Sequence, residues 1–422
     1  MDQSFKTFNN MAYTETRTTS YGSRLGGSLR GIPIGIILFL VATVLLWLNE
    51  GRAVHRSQDI KQVAKTAQSV GDISSVTTAL DGQLIHTTGM ATAIDTLADA
   101  TFGVRANTMA MVRAVEYYQW KENRHKTSED KLGGKEEETT HYTYERGWSN
   151  VAINSDEFKD HDYKGINSVI MNVERQYTVA KNVSFGNYRL PESFVQKLAI
   201  EISGQMQPLQ VPANSQALID LNASLMKSLG QNVRPEAAQV KDSLAYVHVM
   251  GNQLYIGLNP SNPAIGDLRI TFQALPSSSN VSLIAVPQGN TFTTFKAKND
   301  ESEYELSAGI RSLDEMIQSA HQSNKTLTWF LRILGLLVVC FALRKMFSIL
   351  VMLFKVVPFL ANIISLGVNL VCNVLGFAWS LIVIAIAWIF YRPLLGISLL
   401  VIAAALIFFL SIKGKKPAET VA

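Results

Sequence analysis

Cysteine is nearly absent from these 422 residues: only Cys340 and Cys372 occur, both inside apolar C-terminal stretches. The polar part of the chain therefore holds no thiol, and no disulfide framework organises it. A domain of that size buries an adequate core without such staples, so either side of a membrane stays open to it. An excess of one charge is also missing. Thirty-eight basic residues interleave with thirty-four acidic ones to leave a net charge of +4, which excludes the basic footprint of a nucleic-acid-binding protein. No phosphate-cradling glycine loop, nucleophile elbow, zinc-type Cys/His spacing or HExxH helix occurs either.

Charge is locally absent as well. Residues 31–48 and 356–391 contain no Asp, Glu, Lys or Arg, while almost all the charge lies between Glu50 and Lys325. Residues 32–48 form an apolar run of spanning length, led by a polar, basic segment and followed by no small-residue cleavage pattern, which predicts a retained signal anchor. Residues 1–31 are rich in Ser, Thr, Tyr and Gly and predict a flexible polar tail.

The C-terminal apolar region divides at its charges. Transmembrane helices are predicted over 326–343, where Arg332 would snorkel to the interface, over 370–391, and over 394–412 after an Arg392–Pro393 turn. A basic tail, 413–422, follows. The intervening 344–369 is ambiguous. Ser348, Lys355, Asn362 and Asn369 recur every seven residues, so they share one helical face, and Pro358 should bend the helix. We expect an amphipathic interfacial segment, its polar stripe facing water, headgroups or another copy, with a fifth span as the alternative. With four spans, Arg344, Lys345, Lys355 and the last lysines gather on one side. That places both termini in the cytoplasm and the domain between them, 49–325, on the other side. Arg52, Arg56, Lys61 and Lys65, directly after the first span, run against that bias.

Within 49–325 the spacing of Ile60, Val63, Ala64 and Ala67 predicts a helix continuing to about Leu80. Residues 109–150 read as one long hairpin with a charged, solvated tip around Gly133–Gly134. Helices are predicted over 192–200 and 216–228, and short strands over 246–256, 267–274, 281–286 and 291–297. The fold class expected is a membrane protein with one N-terminal and about three C-terminal transmembrane helices, plus a large α+β, mainly antiparallel-sheet soluble domain.

Chemistry is sparse. His125, His141 and His161 lie on the most charged stretch, where solvation explains them better than a metal does. Glu116 is the carboxylate in the most apolar setting, although the polar face of its strand accounts for it. Beyond Arg332 and Lys355 the membrane segments offer no ionisable residue, which argues against a pump or transporter. No catalytic residue, cofactor or metal is expected.

Four stretches together resemble one family: Asn49-Glu50-Gly51-Arg52-Ala53, Val115-Glu116-Tyr117-Tyr118-Gln119-Trp120, Asn259-Pro260 through Gly266-Asp267-Leu268-Arg269-Ile270, and Tyr391-Arg392-Pro393-Leu394. Their order within this membrane layout is similar to the LUMA, or transmembrane protein 43, family, from Gly31 to Lys416. The polar tail and parts of 200–245 depart from it. The resemblance implies a non-enzymatic protein that self-associates and organises membrane protein complexes. It implies the endoplasmic reticulum or inner nuclear membrane in a eukaryote, or the cytoplasmic membrane in a bacterium. It singles out Glu50, Arg52, Glu116, Trp120, Asp267, Arg269, Arg392 and Pro393 as structural or interaction residues, with Glu50 and Arg52 free to pair with each other, with headgroups or with the domain. Lipid, other membrane proteins and further copies are the expected partners. A membrane-bound enzyme acting on lipid or envelope material is the rival, and convergence of Glu116 and the histidines in one cleft would favour it.

Overall fold

The computed structural model describes residues 13–71, 73, 78–230, 246–299, 302–303 and 305–394. Among the described residues, three helices are long and apolar enough to cross a membrane: α1 (Tyr21–Thr66), α4 (Leu313–Leu353) and most of α5 (Pro358–Tyr391). Two shorter helices, α2 (Glu192–Glu201) and α3 (Gln216–Gly230), belong to the sheet domain. Helix α1 starts where the Ser20 hydroxyl accepts from the Ser23 amide, and no proline or run of turn residues interrupts it after residue 48. The 46-residue helix therefore carries the apolar run straight into the polar domain. Helix α4 opens on a capping box between Ser312 and Glu315.

Helices α1 and α4 run antiparallel and close against each other through glycine. A Cβ on Gly35 would lie 2.7 Å from Met346 Cγ and 2.8 Å from the Ala342 carbonyl oxygen, and one on Gly335 would lie 2.5 Å from Leu46 Cδ2. Gly376 meets Cys340 in the same way, bringing in α5. Small residues permit this approach where lipid tails supply no hydrophobic drive. Ala42, Leu46, Val339, Cys372 and Val383 fill the seam.

The domain holds two large sheets. The first orders its main strands β1 (Tyr13–Thr19), β4 (Glu136–Ser149), β3 (Ala110–Asp130), β8 (Leu268–Ala274), β7 (Gln253–Ile256) and β6 (Val247–Met250), every neighbour antiparallel. The second is built around β9 (Ser278–Gln288), which pairs with β2 (Ile85–Ala93) and β10 (Glu305–Ala308); β5 (Val183–Phe185) adds to β2. Ile85, Phe102, Phe185, Phe194, Phe272 and Leu283 lie in the shared core. Val63 and Met316 pack against Leu84 and Ile284, which seats the domain on the far ends of α1 and α4. The expected class, membrane helices plus a mainly antiparallel α+β domain, is the one observed.

Four local expectations change. Residues 13–19 are strand β1 and residues 21–31 open α1, so the described part of the tail is ordered by pairing with β4. Helix α1 ends at Thr66 instead of near Leu80, because Gln68 and Ser69 pair with Ile85 and His86. The segment 344–369 is divided between the end of α4 and the start of α5, and Pro358 opens α5 where its missing N–H removes no helical bond. Its polar positions Ser348, Lys355, Ser365 and Asn369 line an intramolecular cavity with Arg24 and Glu136. The span expected over 394–412 and the tail 413–422 lie outside the described residues, apart from Leu394.

The hairpin tip is the fourth. It is docked at the start of α1. Arg24 Nη2 lies 2.7 Å from Asp130 Oδ1 and Arg24 Nε 3.2 Å from Glu136, while Lys355 Nζ lies 3.1 Å from Asp130 Oδ2. The Gly133 amide donates to the Val356 carbonyl at 3.1 Å, and Tyr21 packs on Gly134. The base of the hairpin, Tyr117, pairs with Leu268 in the domain, which is seated on the opposite ends of α1 and α4. The ribbon β3–β4 thus runs beside the helices: thirteen strand residues reach about 43 Å, comparable to the roughly 39 Å of helix from Arg24 to Glu50.

Burial opposes ionisation of Asp130, but Lys355 and Arg24 outweigh it and hold its carboxyl below the usual aspartate range. A lowered folded-state pKa contributes stability above the unfolded value and loses it as pH falls through the folded one. Hydrogen-exchange protection of residues 13–19 should therefore hold at neutral pH and fade only below about pH 4. Arg24→Ala should remove it at neutral pH, and unchanged protection in that variant would mean that the tip is held by something else.

Candidate interaction site at the membrane boundary

Where α1 leaves its apolar run, helical geometry turns Asn49 and Arg52 together toward α4 and sets Glu50 beside them. Glu50 is fully buried. It accepts from Arg332 Nε and Nη2, both at 2.7 Å, and from Trp388 Nε1 at 2.7 Å, so one carboxylate ties α1, α4 and α5 together. The two-pronged geometry is the strong form of a carboxylate–guanidinium pair. Trp329 and Trp388 flank the guanidinium, with ring centroids 4.9 and 5.5 Å from Arg332 Cζ. Arg332 therefore does not snorkel; its countercharge is brought to it.

Arg52 bonds Asn324 Oδ1 at 3.1 Å, Asn49 Oδ1 at 3.2 Å and Thr328 Oγ1 at 3.0 Å. Asn49 donates to the Thr328 carbonyl at 3.1 Å and Asn324 to the Ala53 carbonyl at 2.9 Å. Of the partners left open for Glu50 and Arg52, which were each other, headgroups or the domain, none is α4, yet both residues make their contacts described above to that helix. A Cβ on Gly51 would lie 2.6 Å from the Tyr391 ring, so the glycine lets α5 close over the junction. Arg392 caps α5, its amide donating to the Trp388 carbonyl at 2.8 Å, and Pro393 follows. Glu50, Arg52 and Arg392 are thus gathered at one boundary. Arg332, Trp388, Asn324 and Thr328 are the partners the sequence did not point to. The usable clue was positional: Glu50 is the first charge after one apolar run, and Arg332 the lone charge near the start of the next.

The remaining residues singled out lie on the first sheet. Glu116 and Arg269 are cross-strand partners, Oε2 to Nε at 2.7 Å, with Arg269 Cζ 4.5 Å from the Trp148 centroid. Both are about one-third exposed, so the pair adds little stability. Asp267 is buried and accepts from Tyr255 and from the Ala264 amide. Burial raises its carboxyl above the usual range, against those bonds. Gly257 makes room for it, since a Cβ there would lie 2.4 Å from the carboxylate. Trp120 packs edge-on against Tyr163. His125 and His141 are cross-strand partners on the ribbon and His161 lies in the short turn His161–Tyr163, so these do not gather around Glu116. Among the described residues no group of His, Cys, Asp and Glu is placed to hold a metal. The charged groups are engaged pairwise, in contacts that fix one element on another.

The family model described as Transmembrane protein 43 matches residues 117–393. The chain is similar to human transmembrane protein 43, with 26% identity over 405 residues, covering 94% of this chain and 92% of the relative. It is similar to the mouse protein at 26% over 380 residues, covering 88% and 87%. The Drosophila melanogaster homolog is 25% identical over 381 residues, covering 88% and 91%. No solved structure matches.

Proposed function

This chain belongs to the transmembrane protein 43 family, and from that premise we propose that it is a multi-pass membrane scaffold that self-associates and organises other membrane proteins, and is not an enzyme. The ribbon is the observation that supports this best. Its tip is fastened to one end of the bundle and its base belongs to the domain seated on the other, so its polar strands run at the level of the apolar helices. Hydrocarbon tolerates neither an open strand edge nor charges such as Lys121, Glu122 and Arg124. Beyond Trp120 the outer edge of β3 carries no strand among the described residues. Copies packed ribbon to ribbon would keep lipid away from it and pair that edge. By the positive-inside bias the bundle end with Arg24, Arg30, Arg344, Lys345 and Lys355, where the ribbon's tip is docked, faces the cytoplasm, and the domain apart from the ribbon lies on the other side. The membrane is the endoplasmic reticulum or inner nuclear membrane in a eukaryote, or the cytoplasmic membrane in a bacterium.

The edge supplies the test. The Tyr118 amide donates outward to the Asp267 carbonyl and the Trp120 amide to Asn167 Oδ1, so the even-numbered amides of β3 point away from β4. Arg124→Pro removes one outward donor and leaves the hairpin ladder intact. In lipid nanodiscs the unaltered full chain should run as an oligomer by mass measurement, and Arg124→Pro should shift it toward monomer with thermal stability retained. A unaltered chain that is monomeric at every concentration would overturn self-association. An unmoved variant would overturn the ribbon as its seat.

A further inference from the structure

A cavity of about 620 Å3 opens beside the Glu50 junction, between α1, α4 and the end of α5. Its wall includes Lys61, Lys325, Arg332 and Arg392 and no Asp or Glu. Arg332 is neutralised by Glu50, but for Lys61, Lys325 and Arg392 the described residues offer no carboxylate. Three uncompensated cations face one space. Like charges around one cavity repel unless an anion or a high dielectric intervenes. The cavity at the other end of the bundle does hold a carboxylate: Glu136 is in its wall, and Arg24 and Lys355 are paired with Asp130, while Arg344 bonds Asn373 Oδ1 and Lys345 lies over the Phe341 ring.

Depth identifies the anion. Trp329, Trp388 and Tyr391 line the same cavity and supply the aromatic girdle of a membrane–water interface. Lys325 precedes Arg332 by two helical turns, so it stands about 10 Å further out, beyond the hydrocarbon and at headgroup level. Ser57, Gln58 and Asn324 add uncharged polar groups to the wall. We propose that this cavity binds the phosphate-bearing headgroup of an anionic phospholipid, with Lys61, Lys325 and Arg392 holding the phosphate and the indole and phenol rings flanking the glycerol region. The site lies within one copy and stands whether or not copies associate. It also gives a reason for the cations that follow the first span on the side that the positive-inside bias would leave poor in them.

The test uses the full chain in nanodiscs of phosphatidylcholine with a minor fraction of phosphatidylglycerol, followed by native mass spectrometry of the lipids that stay bound. Phosphatidylglycerol should be retained at least about tenfold over its share of the bilayer, a difference of about 1.4 kcal/mol. Lys61→Ala/Lys325→Ala should abolish the preference; both side chains are exposed, so the fold is not at stake. Lys65→Ala, outside the cavity, should leave it unchanged. Inorganic phosphate at millimolar concentration should not displace the lipid from the unaltered chain. Displacement by phosphate would make this a soluble-anion site and overturn the lipid assignment. Equal retention of both lipids by the unaltered chain, or a preference that survives the double substitution, would overturn the site.

Discussion

Glu50→Ala is expected to destabilise the membrane bundle by about 3–5 kcal/mol, the usual penalty for leaving one member of a buried ion pair alone. Arg332 would keep its place between Trp329 and Trp388 while losing both of its carboxylate bonds, and the Trp388 indole would lose its acceptor. With the partly exposed Cys340 replaced by serine (Cys340→Ser), the protein carries its own reporter, because Cys372 is buried in the helix seam and reacts with a thiol dye when the bundle opens. The midpoint of thermal labelling in detergent should fall for Glu50→Ala and for Arg332→Ala. Combining Glu50→Gln with Arg332→Met should restore much of the loss, since replacing both charges removes the uncompensated one. Strictly additive effects of the two single changes would mean that the pair does not couple the helices.

The second large effect is expected at Gly35. A methyl group there meets the Ala342 carbonyl oxygen at 2.8 Å and the Met346 amide nitrogen at 3.0 Å, both backbone, so Gly35→Ala must move α4 as a body. Overpacking of this kind costs about 1–3 kcal/mol. Gly335→Ala makes the shorter contacts, 2.5 Å with Leu46 Cδ2 and 2.7 Å with Leu46 Cγ, but both are side-chain atoms that a change of χ1 can withdraw. The order expected in the same thiol assay is Gly35→Ala below Gly335→Ala, despite the distances. The reverse order would show that the seam yields more easily in its backbone than in its side chains.

Much of this architecture was legible from residue chemistry, and the failures share a cause. The charge-free runs 31–48 and 356–391 fall on α1 and α5, and the hairpin read over 109–150 is Ala110–Asp130 with Glu136–Ser149. The helices read over 192–200 and 216–228 end within two residues of those observed. These features depend on neighbours in sequence. Residues 13–31 resemble a loose tail in sequence because their order is supplied from elsewhere: β1 by residues 136–142, and Arg24 by Asp130 and Glu136. Tertiary contacts overrode weak local preference there. Glu50 and Arg52 were found by their position at the end of a span, but their partners on α4 are hundreds of residues away and leave no local trace. Glu116 and Arg269 each stood in a conspicuous stretch, and only the sheet register showed that they face each other.

The distance along the chain between Glu50 and Arg332 also sets a clock. They are 282 residues apart, and at about 5–20 residues per second the second member follows the first by roughly 15–60 s. Throughout that interval α1 sits in the bilayer with a carboxylate at its end that nothing yet neutralises, and β1 waits more than a hundred residues for its strand partner. The sheet domain is synthesised between the two helices that hold it, so it can fold before its own anchor is complete. Newborn chains therefore pass through a stage with a folded domain and an unclosed bundle, the stage at which membrane quality control meets them. A substitution at this junction should accordingly reduce the amount of protein that survives synthesis more than it reduces the lifetime of protein already assembled.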